Sequence, residues 1–237
     1  MGKIQYHIIS TGSKGNAVVV NESILIDCGV PYTAIAPFAP KLKLVLLTHI
    51  HGDHFRASTI RTLAANRPTL RFACCRWLVT PLVNAGVSAK NIDVLEIGIM
   101  YAYGICNVIP VMLAHNVPNC GWKIHFREGK VFYATDTNNL NGITAPNYDL
   151  YLVEANFEEK EILQRIADKK EAGEYAYEQQ VLKNHLSKAK CDNFIYRNIG
   201  TKGEYVHMHC HVESEVEDER EADRSLPRNE PAAAGHH

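Results

Sequence analysis

A buried strand followed at once by metal-binding side chains constrains the fold of this chain more than any other stretch. Residues 44–47 are uniformly apolar, which predicts a short buried strand, and His49, His51, Asp53 and His54 follow directly. Successive side chains of a strand face opposite ways, so these four can point to one place only from a loop beyond the strand end. Imidazole and carboxylate groups suit zinc, manganese or iron. The pattern predicts a metal site at the edge of a sheet.

Residues 48–54 resemble the signature of the metallo-β-lactamase-fold hydrolases. The resemblance implies an α/β chain folded as an αββα sandwich, in which two mixed β-sheets pack face to face with helices outside. It also implies two neighbouring divalent metal ions, zinc first, with manganese or iron as alternatives. Gly52 is expected to let the backbone turn tightly between the ligands.

Asp27 ends the second of two apolar stretches, 17–21 and 23–27, which predict a hairpin closed at residues 21–22. A carboxylate at the end of a buried strand is costly without partners. It either orients a metal-binding histidine or caps a turn.

Two further strand ends carry residues that match the family's metal motifs. His115 follows the predicted strand 105–113 and occupies the place of the next histidine ligand. Asp136 follows the predicted strand 130–134 and occupies the place of the aspartate that, in the superfamily, bridges both metals. Penicillin-hydrolysing members typically carry cysteine there, so an aspartate favours the phosphodiesterase and glyoxalase-like members.

The final histidine ligand is less well defined by the sequence. Residues 204–211 predict a last strand, on which His207, His209 and His211 share one face. The family's usual small residue does not follow, so the choice stays open between His209, which we prefer, and His211.

The resemblance therefore implies seven metal ligands. One metal takes His49, His51 and His115, the other takes Asp53, His54 and His209, and Asp136 bridges them.

His185 is predicted to assist departure of the leaving group. Residues 184–187, Asn-His-Leu-Ser, resemble a motif of the ribonuclease Z-like side of the superfamily. There the histidine lies near the scissile phosphate and can donate a proton to the leaving oxygen. The alternative is a helix-capping histidine paired with Ser187. Glu154, after the predicted strand 148–153, is expected to hold loops near the site.

The implied function is a dinuclear metal-dependent phosphodiesterase, in which a hydroxide held by the metals attacks a phosphodiester of a nucleotide. Asp53 is expected to orient the attacking water, with His185 assisting the leaving group. The substrate is a cyclic nucleotide or a nucleic-acid end. The stretch between Asp136 and His185 is too short for the inserted domain of β-CASP nucleases, and ribonuclease Z's long Gly/Pro-rich arm is missing. A thioester or lactone hydrolase and a non-catalytic metal-binding module are the alternatives.

Composition limits the partners and the compartment. The formal net charge of −1 argues against a large polyanion-binding surface, although not against a local basic patch. No apolar run is long enough to span a bilayer, so no membrane partner is expected. Seven scattered cysteines and no signal peptide predict a cytoplasmic protein.

The hydrolase domain is predicted to cover residues 1–212. Residues 213–237 are charged and almost free of large apolar side chains, which predicts a disordered tail. A homodimer is left open, because many members of the family are dimers.

Overall fold

Twelve strands form two six-stranded sheets in the computed structural model, which describes residues 3–210. The first sheet contains β1 (Tyr6–Ser10), β2 (Ala17–Val20), β3 (Ile24–Ile26), β4 (Leu44–Leu46), β5 (Arg71–Cys74) and β6 (Ile92–Val94). The second contains β7 (Tyr101–Ala102), β8 (Asn107–Leu113), β9 (Asn119–His125), β10 (Lys130–Ala134), β11 (Leu150–Glu154) and β12 (Glu204–Met208).

Both sheets are mixed, and their strands follow chain order. In the first sheet β1, β2 and β3 pair antiparallel, and β3 to β6 pair parallel. In the second sheet β7 to β10 pair antiparallel, and β10, β11 and β12 pair parallel. The short strand β7 was not expected from the sequence.

The helices lie outside the sheets, as the predicted αββα sandwich requires. They are α1 (Tyr32–Ile35), α2 (Ala57–Asn66), α3 (Val79–Asn84), α4 (Glu159–Glu171), α5 (Glu178–Asn184) and α6 (Lys188–Asn198). Apolar residues of α1, α2 and α3 pack with the outer face of the first sheet, and those of α6 with the outer face of the second.

The sheets bury both of their faces, which explains the continuous apolar runs in the sequence. In β2, Val18 and Val20 face the layer between the sheets, whereas Val19 faces the helices. Trp122 and Tyr133 of the second sheet are fully buried in the same middle layer. This layer holds the two sheets together and fixes how their edges meet.

The strands that precede the predicted ligands all run in one direction within their sheets. In the first sheet β3 and β4 are parallel, so Asp27 and the 48–54 segment leave the same edge. In the second sheet β8 and β10 are both antiparallel to β9, and β10 is parallel to β11 and β12. The segments after β8, β10 and β12 therefore also emerge at one edge.

The last strand is shorter than predicted, and His207 and His209 do not share a face. The strand ends at Met208, and His209 adopts a left-handed backbone conformation with φ of 51°. His209 is consequently buried, whereas His207 lies half-buried beside Asp192. His211 and the predicted tail 213–237 lie outside the described residues.

Two observations bear on the class of protein. No helix among residues 3–210 combines the length and apolar character needed to cross a membrane. All seven cysteines are free thiols.

The glycine that the predicted metal-binding loop needs is Gly29, not Gly52. A Cβ on Gly29 would lie 1.6 Å from the carbonyl oxygen of Asp53, whereas a Cβ on Gly52 would meet nothing within 4 Å. Gly52 also has no left-handed φ, so the expectation that it enables a tight turn was wrong. The loop is held by hydrogen bonds instead: the amide of Asn16 donates to the Asp53 carbonyl (2.6 Å), and that of Gly29 to the Asn16 carbonyl (2.9 Å).

We therefore expect Gly29→Ala to displace the loop and to destabilise the fold by about 3 kcal/mol or more. Gly52→Ala, the matched control, should change stability by no more than about 0.5 kcal/mol. Urea unfolding and metal content measured on both variants check this. Equal stability of the two variants would contradict the close contact between Gly29 and Asp53.

Candidate metal centre

Three histidine nitrogens converge at the end of the first sheet. Nε2 of His49 lies 3.2 Å from Nδ1 of His51, which lies 3.3 Å from Nε2 of His115. Zn–N bonds of about 2.0–2.1 Å in a tetrahedron place ligand nitrogens about 3.3–3.4 Å apart. The spacing therefore fits one metal ion bound by the three residues predicted for the first site.

A hydrogen-bond chain from Asp27 sets which nitrogen of His49 can bind a metal. The hydroxyl of Thr48 donates to the Asp27 carboxylate at 3.0 Å, and the same hydroxyl oxygen lies 3.0 Å from Nδ1 of His49. Because the hydroxyl proton is used on Asp27, the oxygen accepts from Nδ1–H of His49. Nε2 of His49 then carries the lone pair that faces the other two histidines.

Asp27 also holds His54 of the second half of the centre. Nδ1 of His54 lies 2.7 Å from Oδ2 of Asp27, and both side chains are fully buried. Nε2 of His54 is thereby directed towards Asp53 Oδ2 (3.4 Å) and Asp136 Oδ2 (2.7 Å). The interpretation of Asp27 as a carboxylate that orients a metal-binding histidine agrees with these contacts, and Asp27 serves two histidines rather than one.

His115 is oriented by the backbone of the other half of the chain. Its Nδ1 lies 3.1 Å from the carbonyl oxygen of Asn184, to which it donates, so Nε2 is the nitrogen left for a cation.

Asp136 lies between the two groups of histidines. Its Oδ2 contacts His54, while its Oδ1 lies 3.4 Å from Nδ1 of His209 and 4.0 Å from Nε2 of His115. The pKa of Asp136 is held well below its usual range, because the charges of His209 and His54 outweigh the opposing effect of burial. An ionised carboxylate at this position can bridge two cations.

His209 closes the centre from the last strand. Its Nδ1 lies 3.1 Å from Glu154 Oε1, which leaves Nε2 as the nitrogen that can bind a cation. Its backbone amide donates to Thr11 Oγ1 at 2.8 Å, which ties the end of β12 to the first turn of the chain. Asp53, His54 and His209, the set predicted for the second metal, are thus linked through Asp136 rather than in direct mutual contact.

Backbone strain concentrates at this centre. Asp27, Asp136 and His209 are three of the six described non-glycine residues with positive φ, at 60°, 55° and 51°. Such conformations persist only where surrounding contacts impose them, and they cluster at functional sites.

His185 and Glu154 form a pair beside the predicted metal ligands. Nδ1 of His185 lies 2.6 Å from Glu154 Oε1 and 3.6 Å from Asp136 Oδ1. Glu154 is fully buried, and Oε2 also accepts from the amide of Thr137 at 2.8 Å. Its pKa is lowered because His185 and His209 outweigh burial, so the group stays ionised and accepts Nδ1–H of His185.

A cavity of about 270 Å³ opens onto these side chains. The cavity is lined by the ligand loops and by α5, through Tyr177 just before the helix, Val181 and Asn184. Asp53, His115, Asp136, His185 and His209 all contribute to its wall.

Sequence reasoning missed several residues that support this centre. Asn16 donates from Nδ2 to Asp53 Oδ2 (3.2 Å) and lies 2.8 Å from Nε2 of His54. In the sequence, Asn16 could have been noticed as a polar residue between a glycine-rich turn and a buried strand. The role of Thr48 was also missed. Glu154 was expected to hold loops near the site, but its partners His185 and His209 could not be predicted, because they come from distant parts of the chain.

The donor set fits divalent cations. The three histidine nitrogens are spaced for a tetrahedral ion, and the buried Oδ2 of Asp136 makes no aligned hydrogen bond despite lying 2.7 Å from His54. Lone pairs that converge in this way require a cation between them or shared protons.

Without a metal, protons must lie between these converging lone pairs. The stability of the metal-free protein should therefore depend on pH. Burial would lower the pKa of His209, but Asp136 and Glu154 raise it from 6.5 to about 9. Protonated His209 therefore contributes to the free energy of unfolding. This contribution is complete below pH 6.5 and is lost as the pH rises through about 9. Metal-free protein should therefore lose stability across this range, by roughly 3 kcal/mol at most from this group.

Urea unfolding of metal-stripped protein at both ends of the range checks this, with His209→Gln as the variant in which the dependence should shrink. Stability of the stripped protein that increases from pH 6.5 to 9 would contradict the assigned contacts of His209.

Comparison with known proteins identifies the family. The model of the "Beta-lactamase superfamily domain" matches residues 22–183. A search of curated proteins found no match.

Solved structures share the fold at low sequence identity. The metallo-β-lactamase fold protein YhfI from Bacillus subtilis aligns with a TM-score of 0.68 and 15% identity, covering 93% of each chain. The short form of human tRNase Z aligns with a TM-score of 0.63 and 14% identity, covering 89% of this chain and 93% of its own. A diphosphatase from the PhnP family aligns with a TM-score of 0.61 and 14% identity, covering 94% of this chain and 91% of its own. With the family model matching more than half of its length, the chain belongs to the beta-lactamase superfamily and has the metallo-β-lactamase fold.

Proposed function

We propose that this protein is a metal-dependent phosphodiesterase that cleaves a nucleotide substrate. The observation that carries the proposal is His185, which lines the cavity beside five of the predicted metal ligands and is held from the buried side by Glu154. Superfamily membership and two structural neighbours named as a tRNase and a diphosphatase support the same class of reaction.

The predicted ligands divide between two cations, most favourably zinc, with manganese or iron as alternatives. His49, His51 and His115 would hold the first, Asp53, His54 and His209 would hold the second, and Asp136 would contribute to both. When bound, two such cations supply a nucleophile at neutral pH and neutralise charge on the phosphoryl group.

His185 supports departure of the leaving group. Glu154 anchors Nδ1, so Nε2 is the nitrogen from which His185 delivers a proton to the leaving oxygen. The two residues after His185 are fixed by hydrogen bonds. The carbonyl of Leu186 accepts from the amide of Asn156, and Ser187 caps α6.

Asp53 is the residue proposed to orient the attacking water. Its side chain is 21% exposed, which makes it accessible from the cavity, and one carboxylate oxygen is anchored by Asn16. The second oxygen can then accept a hydrogen bond from water.

The cavity favours one nucleotide unit over a long polymer. Its volume of about 270 Å³ is at the small end of ligand pockets, and the net charge of the chain is −1. Tyr177, which is 47% exposed at the wall of the cavity, offers a ring on which a base can stack. Cyclic mononucleotides and nucleic-acid ends both present this combination of base and phosphodiester.

The proton-donor role of His185 predicts a dependence on the leaving group. His185→Ala should lower kcat about 10²–10⁴-fold for nucleotide substrates, whose alkoxide leaving group needs a proton. The loss should be much smaller for bis(p-nitrophenyl) phosphate, whose leaving group departs unassisted. The metal content of His185→Ala should equal that of the wild type, whereas the metal content of Asp136→Ala should fall. His7→Ala, which changes an exposed histidine, serves as the matched control.

An equal loss on both substrates would contradict proton donation by His185. Thioester or lactone turnover without phosphodiester turnover would overturn the proposed function, as would tight metal binding without turnover of any ester. A side-by-side assay of cyclic mononucleotides and of single- and double-stranded DNA and RNA then assigns the substrate.

Base stacking on Tyr177 predicts a change in KM. Tyr177→Ala should weaken binding of a nucleotide substrate by about 1–3 kcal/mol, seen as a higher KM with little change in kcat. Tyr177→Phe should retain the wild-type value. Tyr175, which is 73% exposed and is not among the residues that line the cavity, provides the matched Tyr175→Ala control. An unchanged KM in Tyr177→Ala would exclude stacking there.

A further inference from the structure

We propose that Cys191, Asp192 and His207 form a separate zinc site that joins α6 to the edge strand β12. One ligand atom from each residue, a thiol sulfur, a carboxylate oxygen and an imidazole nitrogen, lies within 4.8 Å of the other two. None of these residues belongs to the seven predicted ligands or lines the cavity of the metal centre.

The three side chains come from two elements that pack together. Cys191 and Asp192 are consecutive on α6, and Nε2 of His207 on β12 lies 2.7 Å from Oδ1 of Asp192. The Cys191 side chain is fully buried, and its sulfur lies a long 3.9 Å from the Val153 carbonyl oxygen. Asp192 and His207 are 49% and 24% exposed, so a cation can reach the site from solvent.

The ligand chemistry selects zinc. Thiolate, imidazole and carboxylate together form a set that tetrahedral Zn²⁺ accepts, whereas magnesium and calcium avoid sulfur. Burial raises the pKa of the Cys191 thiol, and the neighbouring charges of Asp192, Glu154 and Cys210 raise it further. A bound cation reverses this, because a coordinating thiol loses its proton. The fourth tetrahedral position falls to solvent or to Cys210.

The location connects the site to the metal centre without making it part of the reaction. His207 precedes His209 by two residues, and α6 begins directly after the 184–187 segment. A cation that fixes α6 against β12 would therefore fix the backbone that presents His209 and the backbone that follows His185.

The sulfur ligand gives the site a spectroscopic signature. The seven ligands of the predicted catalytic centre are nitrogen and oxygen donors only, so a thiolate-to-cobalt charge-transfer band in the Co²⁺-substituted full-length protein would arise from the Cys191 site. We expect wild-type protein to show this band and to retain one metal ion more than His207→Ala. Cys191→Ser should also lose the band, whereas the matched controls Cys106→Ser and His125→Ala should keep it.

His207→Ala changes a half-buried side chain, so it tests the proposal even if Cys191→Ser does not fold. The proposal is overturned if the wild-type protein shows no thiolate-to-cobalt band, or if the band and the metal count persist in His207→Ala. Neither readout depends on turnover, so the result is separate from that of the proposed phosphodiesterase activity.

Discussion

The buried carboxylate of Asp27 is the interaction on which the geometry of this centre depends. It receives hydrogen bonds from Thr48 and His54, and Thr48 in turn receives Nδ1–H of His49. One acceptor at the end of β3 thus fixes the ring orientation of a histidine in each half of the centre. Because the carboxylate is fully buried, water cannot compete for these bonds, and the imidazoles are presented with their lone pairs facing each other.

The second constraint is the burial of Asp136 among histidines from both sheets. Its carboxylate is almost entirely removed from solvent, so its charge must be balanced by nearby cations or by protons on the imidazoles. The sandwich makes this balance possible because strands from both sheets end at one edge. His54 follows a strand of the first sheet and His209 a strand of the second, and both contact Asp136. The centre therefore also helps to fix the position of one sheet relative to the other.

Much of the fold and of the centre follows from the sequence, because apolar runs mark strands and the polar residues that end them mark one edge. The sandwich was predicted correctly, and the structure gathers His49, His51, Asp53, His54, His115, Asp136 and His209 at that edge. Local patterns could not predict contacts between distant segments. Gly29 is needed because Asp53 packs against it, Glu154 serves both His185 and His209, and the φ of His209 separates it from His207.

The bond between the His209 amide and Thr11 joins two residues that are 198 positions apart. During synthesis on the ribosome, the first sheet and its histidines are complete long before β12 leaves the exit tunnel. The nascent chain can therefore gather the predicted ligands of the first half, His49, His51 and then His115, while the second half still lacks His209. Assembly of the full centre therefore waits for β12, and a chain truncated before β12 would carry the family signature without His209.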